Sequence, residues 1–200
     1  MREAIFLTFT YLMGSIPFGL VISYLVKGID IRKFGSGNIG ATNVVRVVGK
    51  KWGILVFILD FLKGFLAPFL AKIILAPANS IYIFSVILTV SGHNWPVYLK
   101  FKGGKGVATS IGGAFGLAII FPNLLWFVLL ISLAVWVIVF RVFRFVSLAS
   151  LLLGLSFFVF SFVFPLPKEI RIFALILCLF IFIRHTKNIK NLFAKQEHRF

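Results

Sequence analysis

The sequence predicts an all-α, polytopic integral membrane protein with seven transmembrane helices, on three observations. Of its 200 residues 60% are hydrophobic and 13% charged, with 26 phenylalanines, a balance typical of membrane spans and not of soluble domains. The apolar residues run in blocks near the ~20 that cross roughly 30 Å of hydrocarbon at about 1.5 Å per residue. The lysines and arginines, 21 against five acids, gather in alternate connections between those blocks.

The first span covers residues 4–26, interrupted by Gly14-Ser15-Ile16-Pro17-Phe18-Gly19. Small residues and a proline inside a span signal close helix packing, a kink, or backbone facing a cavity, and packing is the favoured reading. Arg2 stands beside Glu3 and not in a basic cluster, so the run is expected to be a retained span and not a cleaved signal. A polar connection over 27–51 leads to the second span, 52–75, which contains Asp60 and Lys63. Their i, i+3 spacing puts both on one helical face, where they can pair. A functional part and a purely structural one are equally open for such a pair. Pro77-Ala78-Asn79 reads as a tight turn, and the third span, 80–99, carries Gly92-His93-Asn94-Trp95-Pro96 near its end.

After the connection at 100–106 no charge appears before Arg141, a stretch too long for one span. Pro122-Asn123 divides it into spans at 107–121 and 123–140. The sixth span is 146–164, the seventh 170–184, and the basic tail from His185 is expected to form a helix against the membrane surface. The whole chain, 1–200, reads as a single transmembrane domain.

In a soluble protein the net charge of +16 would suggest nucleic acid. Here topology explains it, and no nucleic-acid partner is expected. The connections at 27–51 and 100–106, Arg141, Arg144, Arg184 and the tail hold sixteen of the 21 cations. The opposite side holds Arg2, Lys168 and Arg171, and Lys63 and Lys72 fall inside the second span. By the positive-inside rule the N-terminus is outside and the C-terminus cytoplasmic. Cys178, the one cysteine, excludes an internal disulfide and reads as a small core residue. One Cys, three His and five scattered acids make a metal site unexpected, and no cofactor is implied.

Three polar stretches then share the cytoplasmic face. The first, Ser36-Gly37-Asn38-Ile39-Gly40-Ala41-Thr42-Asn43-Val44-Val45-Arg46, combines glycines with hydroxyl, amide and guanidinium donors, as an anion cradle requires. Gly35-x-Gly37-x-x-Gly40 matches a dinucleotide fingerprint, but no strand precedes it and no βαβ unit is possible. The second, Gly103-Gly104-Lys105-Gly106-Val107-Ala108-Thr109-Ser110, lacks the Ser or Thr after Lys and the first glycine of a nucleotide P-loop. What survives is glycine backbone and a lysine at a helix start, favourable to an anion. The third, His185-Thr186-Lys187-Asn188-Ile189-Lys190, puts His185 and Asn188 on one helical face, with Glu197 further on.

Together with Gly92-His93-Asn94-Trp95-Pro96, Asp60-Phe61-Leu62-Lys63-Gly64 and Arg144-Phe145-Val146-Ser147-Leu148-Ala149-Ser150, these stretches resemble the motifs of the bacterial acyl-phosphate:glycerol-3-phosphate acyltransferases, the PlsY family. The resemblance covers the whole chain in order. It implies a seven-helix enzyme of the bacterial cytoplasmic (inner) membrane, multi-pass, with its active site on the cytoplasmic side. Such an enzyme transfers a fatty acyl group from a long-chain acyl phosphate to the sn-1 hydroxyl of glycerol 3-phosphate, giving lysophosphatidic acid without acyl-CoA or acyl carrier protein. Ser36, Lys105, His185 and Asn188 are then the expected catalytic residues. The expected substrate-binding set is Ser36, Asn38, Gly40, Thr42, Asn43, Arg46, Gly103, Gly104, Lys105, Ser147, His185, Asn188 and Glu197.

The chemistry fits these residues independently. Both substrates carry phosphate, which clustered Arg, Lys and glycine N–H groups bind well. An acyl phosphate already has a good leaving group, so a substrate hydroxyl can attack it without a protein nucleophile. Orientation and charge stabilisation would supply most of the rate. Two other classes remain open at the level of residues: a transporter of organic phosphates, and a protein that only binds lipid head groups.

Overall fold

The computed structural model describes residues 1–75, 79–121 and 124–200, and among them there is no strand. Ten α-helices form there: α1 (Arg2–Gly14), α2 (Phe18–Lys27), α3 (Ala41–Val47), α4 (Lys50–Leu75), α5 (Asn79–Asn94), α6 (Val107–Ile120), α7 (Leu125–Phe143), α8 (Val146–Val163), α9 (Lys168–Arg184) and α10 (Thr186–Phe193). The turn expected at Pro77-Ala78-Asn79 lies outside the described residues except for Asn79, which opens α5, and so does the turn at Pro122-Asn123. Residues Met1–Leu117 and Ala118–Phe200 form two compact units.

Every expected span is occupied by helix, but not every one by a helix long enough to cross a bilayer unaided. Arg2–Lys27, Lys50–Leu75, Leu125–Phe143 and Val146–Val163 are long and apolar enough, and α9 with α10, bent by 61°, would add a fifth. The third expected span reaches residue 99, whereas α5 stops at Asn94. Pro96 explains the difference. It disfavours helical geometry at the preceding residue, and Val97–Leu99 forms a separate 3₁₀ turn. Lys100 and Phe101 then take left-handed backbone angles, φ 51° and 62°, and reverse the chain.

In the first unit α1 packs on α5, and α4 packs on α5, α3, α2 and α1. The α4 sequence explains its placement. Ile54, Ile58, Leu62 and Leu66, four residues apart, are exposed as one apolar stripe. Val56, Asp60, Lys63, Gly64, Ala67 and Ala71 are buried on the other face. Polar-inside, apolar-outside is the pattern expected where the surroundings are hydrocarbon. α6 lies directly against α4: a Cβ added to Gly112 would strike the carbonyl of Phe61, and one added to Gly64 the carbonyl of Thr109. Glycine at both places lets two backbones touch, the packing mode available where lipid removes the hydrophobic drive between helices.

Of the readings of the first span's sequence, the break bears out close packing together with an interruption of the helix. α1 ends at Gly14 and α2 starts at Phe18, while Gly14 sits against the backbone of Thr89 on α5. The break also frees the Ile16 carbonyl, which accepts a hydrogen bond from Lys63 Nζ at 3.1 Å. Below α2 the chain is pinned by a cluster of Ile31, Ile39, Val44, Val48 and Val56, with Leu20, Trp52 and Leu99 packed against it. In the second unit α8 packs between α7 and α9, and α10 rests on α8 and α9. Cys178 is a free thiol buried on α9, as expected of a small core residue.

Two outcomes test this packing. Gly112→Leu should destabilise the folded protein by about 1–3 kcal/mol, because the obstructing atoms are backbone and cannot rotate away; thermal unfolding in detergent reads it. Asp30 lies outside the spans, where Arg32 donates from Nε at 2.9 Å and Nη2 at 2.7 Å. The Arg32 hydrogen bond holds its carboxyl down at about 2. A depressed carboxyl stabilises above its ordinary value and loses that contribution as it protonates. The stability difference between the native chain and Asp30→Asn should therefore be constant near neutrality and close as pH falls from about 4 towards 2.

Candidate active site

The first polar stretch is a loop built around one amide. Asn43 is buried on α3, and its Oδ1 accepts the Ser36 N–H at 3.0 Å. Its Nδ2 donates to the carbonyls of Asn38 at 2.9 Å and Phe34 at 3.0 Å, with Ile31 O at 3.4 Å. These bonds occupy both ends of the amide, so Asn43 shapes the loop from inside. Asn38 makes a smaller turn of the same kind, its Oδ1 accepting the Gly40 N–H at 2.9 Å, and Ser36 Oγ accepts the Asn38 N–H at 3.4 Å. Gly40 opens α3, Thr42 lies half-buried in its first turn, and Arg46 is exposed in its last. Lys27 Nζ donates to the Val47 carbonyl at 2.7 Å, a cation at the negative end of α3.

The second stretch lies over the end of α5. Gly103 and Gly104 are buried, Lys105 is half-buried, and Gly106 takes φ +74° one residue before α6 begins. The Gly104 N–H donates to the His93 carbonyl at 2.9 Å. A Cβ on Gly103 would strike the His93 carbonyl and Pro96, and one on Gly104 would strike the His93 ring at Nε2. No side chain fits between this loop and His93.

The second unit brings together three of the expected residues. Glu197 Oε1 accepts from Ser147 Oγ at 2.7 Å and from Asn188 Nδ2 at 2.6 Å. Ser147 is in the first turn of α8, Asn188 on α10, and Glu197 follows on the tail, so one carboxylate joins three segments. The tail is also held at its end, where the Phe200 N–H donates to the Arg144 carbonyl at 2.8 Å. His185 is 2% exposed and sits at the bend between α9 and α10. Its Nδ1 lies 2.8 Å from the Ile181 carbonyl. A carbonyl can only accept, so Nδ1 carries the hydrogen of this bond.

Sequence reasoning found the members of each cluster but not their partners. Ser147 and Glu197 are 50 residues apart, and no periodicity links them. His93 reads as an isolated histidine in the sequence, yet its Nδ1 is 2.9 Å from Lys63 Nζ. A buried Asp–Lys pair leaves ammonium hydrogens to be satisfied, and that shortfall was the available signal for a third partner.

The family model described as glycerol-3-phosphate acyltransferase matches residues 4–195. The glycerol-3-phosphate acyltransferase of Aquifex aeolicus (strain VF5) is 45% identical over 199 residues, which cover 99% of this chain and 100% of that one. Two crystal structures of PlsY, described as an integral membrane glycerol 3-phosphate acyltransferase, are also similar. The glycerol 3-phosphate form aligns with a TM-score of 0.89 at 43% identity, covering 100% of this chain and 96% of that one. The lysophosphatidic acid form aligns with a TM-score of 0.87 at 42% identity and the same coverage. With its helices, its glycine loops and nearly its whole length matched, the chain belongs to the glycerol-3-phosphate acyltransferase family.

Proposed function

We propose that this acyltransferase moves a long-chain acyl group from an acyl phosphate to the sn-1 hydroxyl of glycerol 3-phosphate, the first step of phospholipid synthesis. Its products are lysophosphatidic acid and inorganic phosphate, and residues 1–200 act as one transmembrane catalytic domain of seven spans. The sixteen cations of one set of connections support an N-terminus outside the bacterial inner membrane and a reaction on its cytoplasmic side. Both proposed substrates carry phosphate, and Arg46, Lys105 and the glycine N–H groups are the donors suited to grip them. Ser36, Asn38, Gly40 and Thr42 would line the first anion cradle, with Asn43 holding its shape. Ser147, Asn188 and Glu197 form a fixed hydrogen-bonding corner, and that corner is the observation that carries the reading. A carboxylate that takes one hydrogen from each of two donors sets the direction in which the remaining amide groups of Asn188 point, as a site that must position a substrate requires.

The step balances without a protein intermediate. The substrate oxygen bonds to the acyl carbon, the bond from that carbon to the phosphate oxygen breaks, and the hydroxyl proton ends on the departing phosphate. Direct transfer to the phosphate needs no protein base, and the bond from His185 Nδ1 to the Ile181 carbonyl fixes the orientation of the buried ring. His185 would then act by position and hydrogen bonding and not as an obligatory base. Fixed donors around the developing charge supply the acceleration.

The purified protein in detergent, given palmitoyl phosphate and glycerol 3-phosphate, should release inorganic phosphate with no membrane to cross. Palmitoyl-CoA in place of palmitoyl phosphate should yield no product. A transporter or a head-group-binding protein would release nothing in either case. His185→Ala should slow phosphate release by up to about 10² while leaving it above background. Complete loss of turnover, with both substrates still bound, would put the proton on His185.

A further inference from the structure

We propose that Asp60, Lys63 and His93 form a positioning network that fixes the Gly103-Gly104 segment, and through it Lys105, with the His93 ring as the element the segment rests on. The inference rests on the acyl-transfer reading above, since it concerns the same loop. Lys63 Nζ is 2.8 Å from Asp60 Oδ1, 2.9 Å from His93 Nδ1 and 3.1 Å from the Ile16 carbonyl. The Lys63 ammonium thus pairs with Asp60 on α4 and hydrogen-bonds to His93 on α5 and to the break after α1, and His93 Nδ1 lies 3.4 Å from the same Asp60 oxygen. Lys63 is 4% exposed and Asp60 2%, so each bond is made out of water and is costly to lose.

The network has a direction. Lys63 donates to His93 Nδ1, so the ring carries its own hydrogen on Nε2. That edge of the ring faces Gly104, close enough that a single added carbon would collide with it. The Gly104 N–H is bonded to the backbone carbonyl of the same histidine, and Gly103 abuts that carbonyl. One residue therefore sets the height of the segment in two ways, by ring contact and by backbone hydrogen bond. Its χ angles are fixed in turn by the ammonium behind it. A purely structural ion pair would be complete with Asp60 and Lys63, whereas the pair here is extended to the side chain that Gly104 rests on. Misplacement of a positioning segment by about 1 Å costs up to 10² in rate.

The test separates the ring from the ion pair. In His93→Asn the new amide oxygen can still accept from Lys63 near the position of Nδ1, while the edge facing Gly104 is gone. Measured as phosphate release from palmitoyl phosphate, the folded variant should melt within a few degrees of the native protein and lose about tenfold or more in kcat/KM. Gly104→Ala should lose activity because its methyl meets the ring. The double variant His93→Asn/Gly104→Ala should recover part of what Gly104→Ala loses, a reciprocal rescue that a merely stabilising role would not produce. Native kcat/KM in folded His93→Asn overturns the proposal. Should His93→Asn fail to fold, Gly104→Ala decides by itself, and full activity in that folded variant overturns the proposal. Failure of the native protein to turn over palmitoyl phosphate would instead defeat the acyl-transfer reading, so the two failures are distinct.

Discussion

The Lys63 ammonium is the constraint on which the first unit is arranged. A cation inside an apolar bundle needs a counter-charge and nearby acceptors, and the protein supplies one ion pair and two hydrogen bonds from three separate places. Asp60 comes from the previous turn of the same helix. The Ile16 carbonyl is available because Pro17 interrupts the first span. His93 is available because α5 ends one residue later. Each of these looks like a local irregularity in its own segment: a charge in a span, a proline in a span, a helix that stops short. Together they are one coordination shell, and removal of any of them would leave a buried polar group without its partner.

The parts that were legible in the sequence are those governed by local period and composition. All of the expected spans are helical, and the Asp60–Lys63 pair follows from i, i+3 spacing. The break at Ser15-Ile16-Pro17 follows from the proline. The length of α5 was overread by five residues because Val97-Tyr98-Leu99 is as apolar as a span. Composition records hydrophobicity, but the chain turns where Pro96 and the left-handed Lys100 and Phe101 turn it. Long-range pairings were not legible. Nothing local distinguishes Glu197 as the acceptor for both Ser147 and Asn188, and its place in the site came from family resemblance alone. Asn43 marks the limit from the other side: the sequence groups it with the donors of an anion cradle, yet the geometry turns its amide inward to hold the loop.

The two units use opposite devices for the same end. In the first, glycines bring backbone close to a rigid ring, and position comes from excluded volume: a loop with no Cβ has one depth at which it can rest on His93. In the second, position comes from a charge. Glu197 is a carboxylate among residues proposed to bind phosphate, which on Coulomb grounds alone would oppose binding. Its Oε1 already accepts from Ser147 and Asn188, so part of its field is directed into two charge-assisted hydrogen bonds. What the corner presents is less a bare carboxylate than two donors held in fixed orientation. A neutral amide oxygen could accept the same two hydrogens, but with weaker bonds and a looser Asn188. The retained negative charge is therefore best understood as the cost of rigidity in this corner of the second unit.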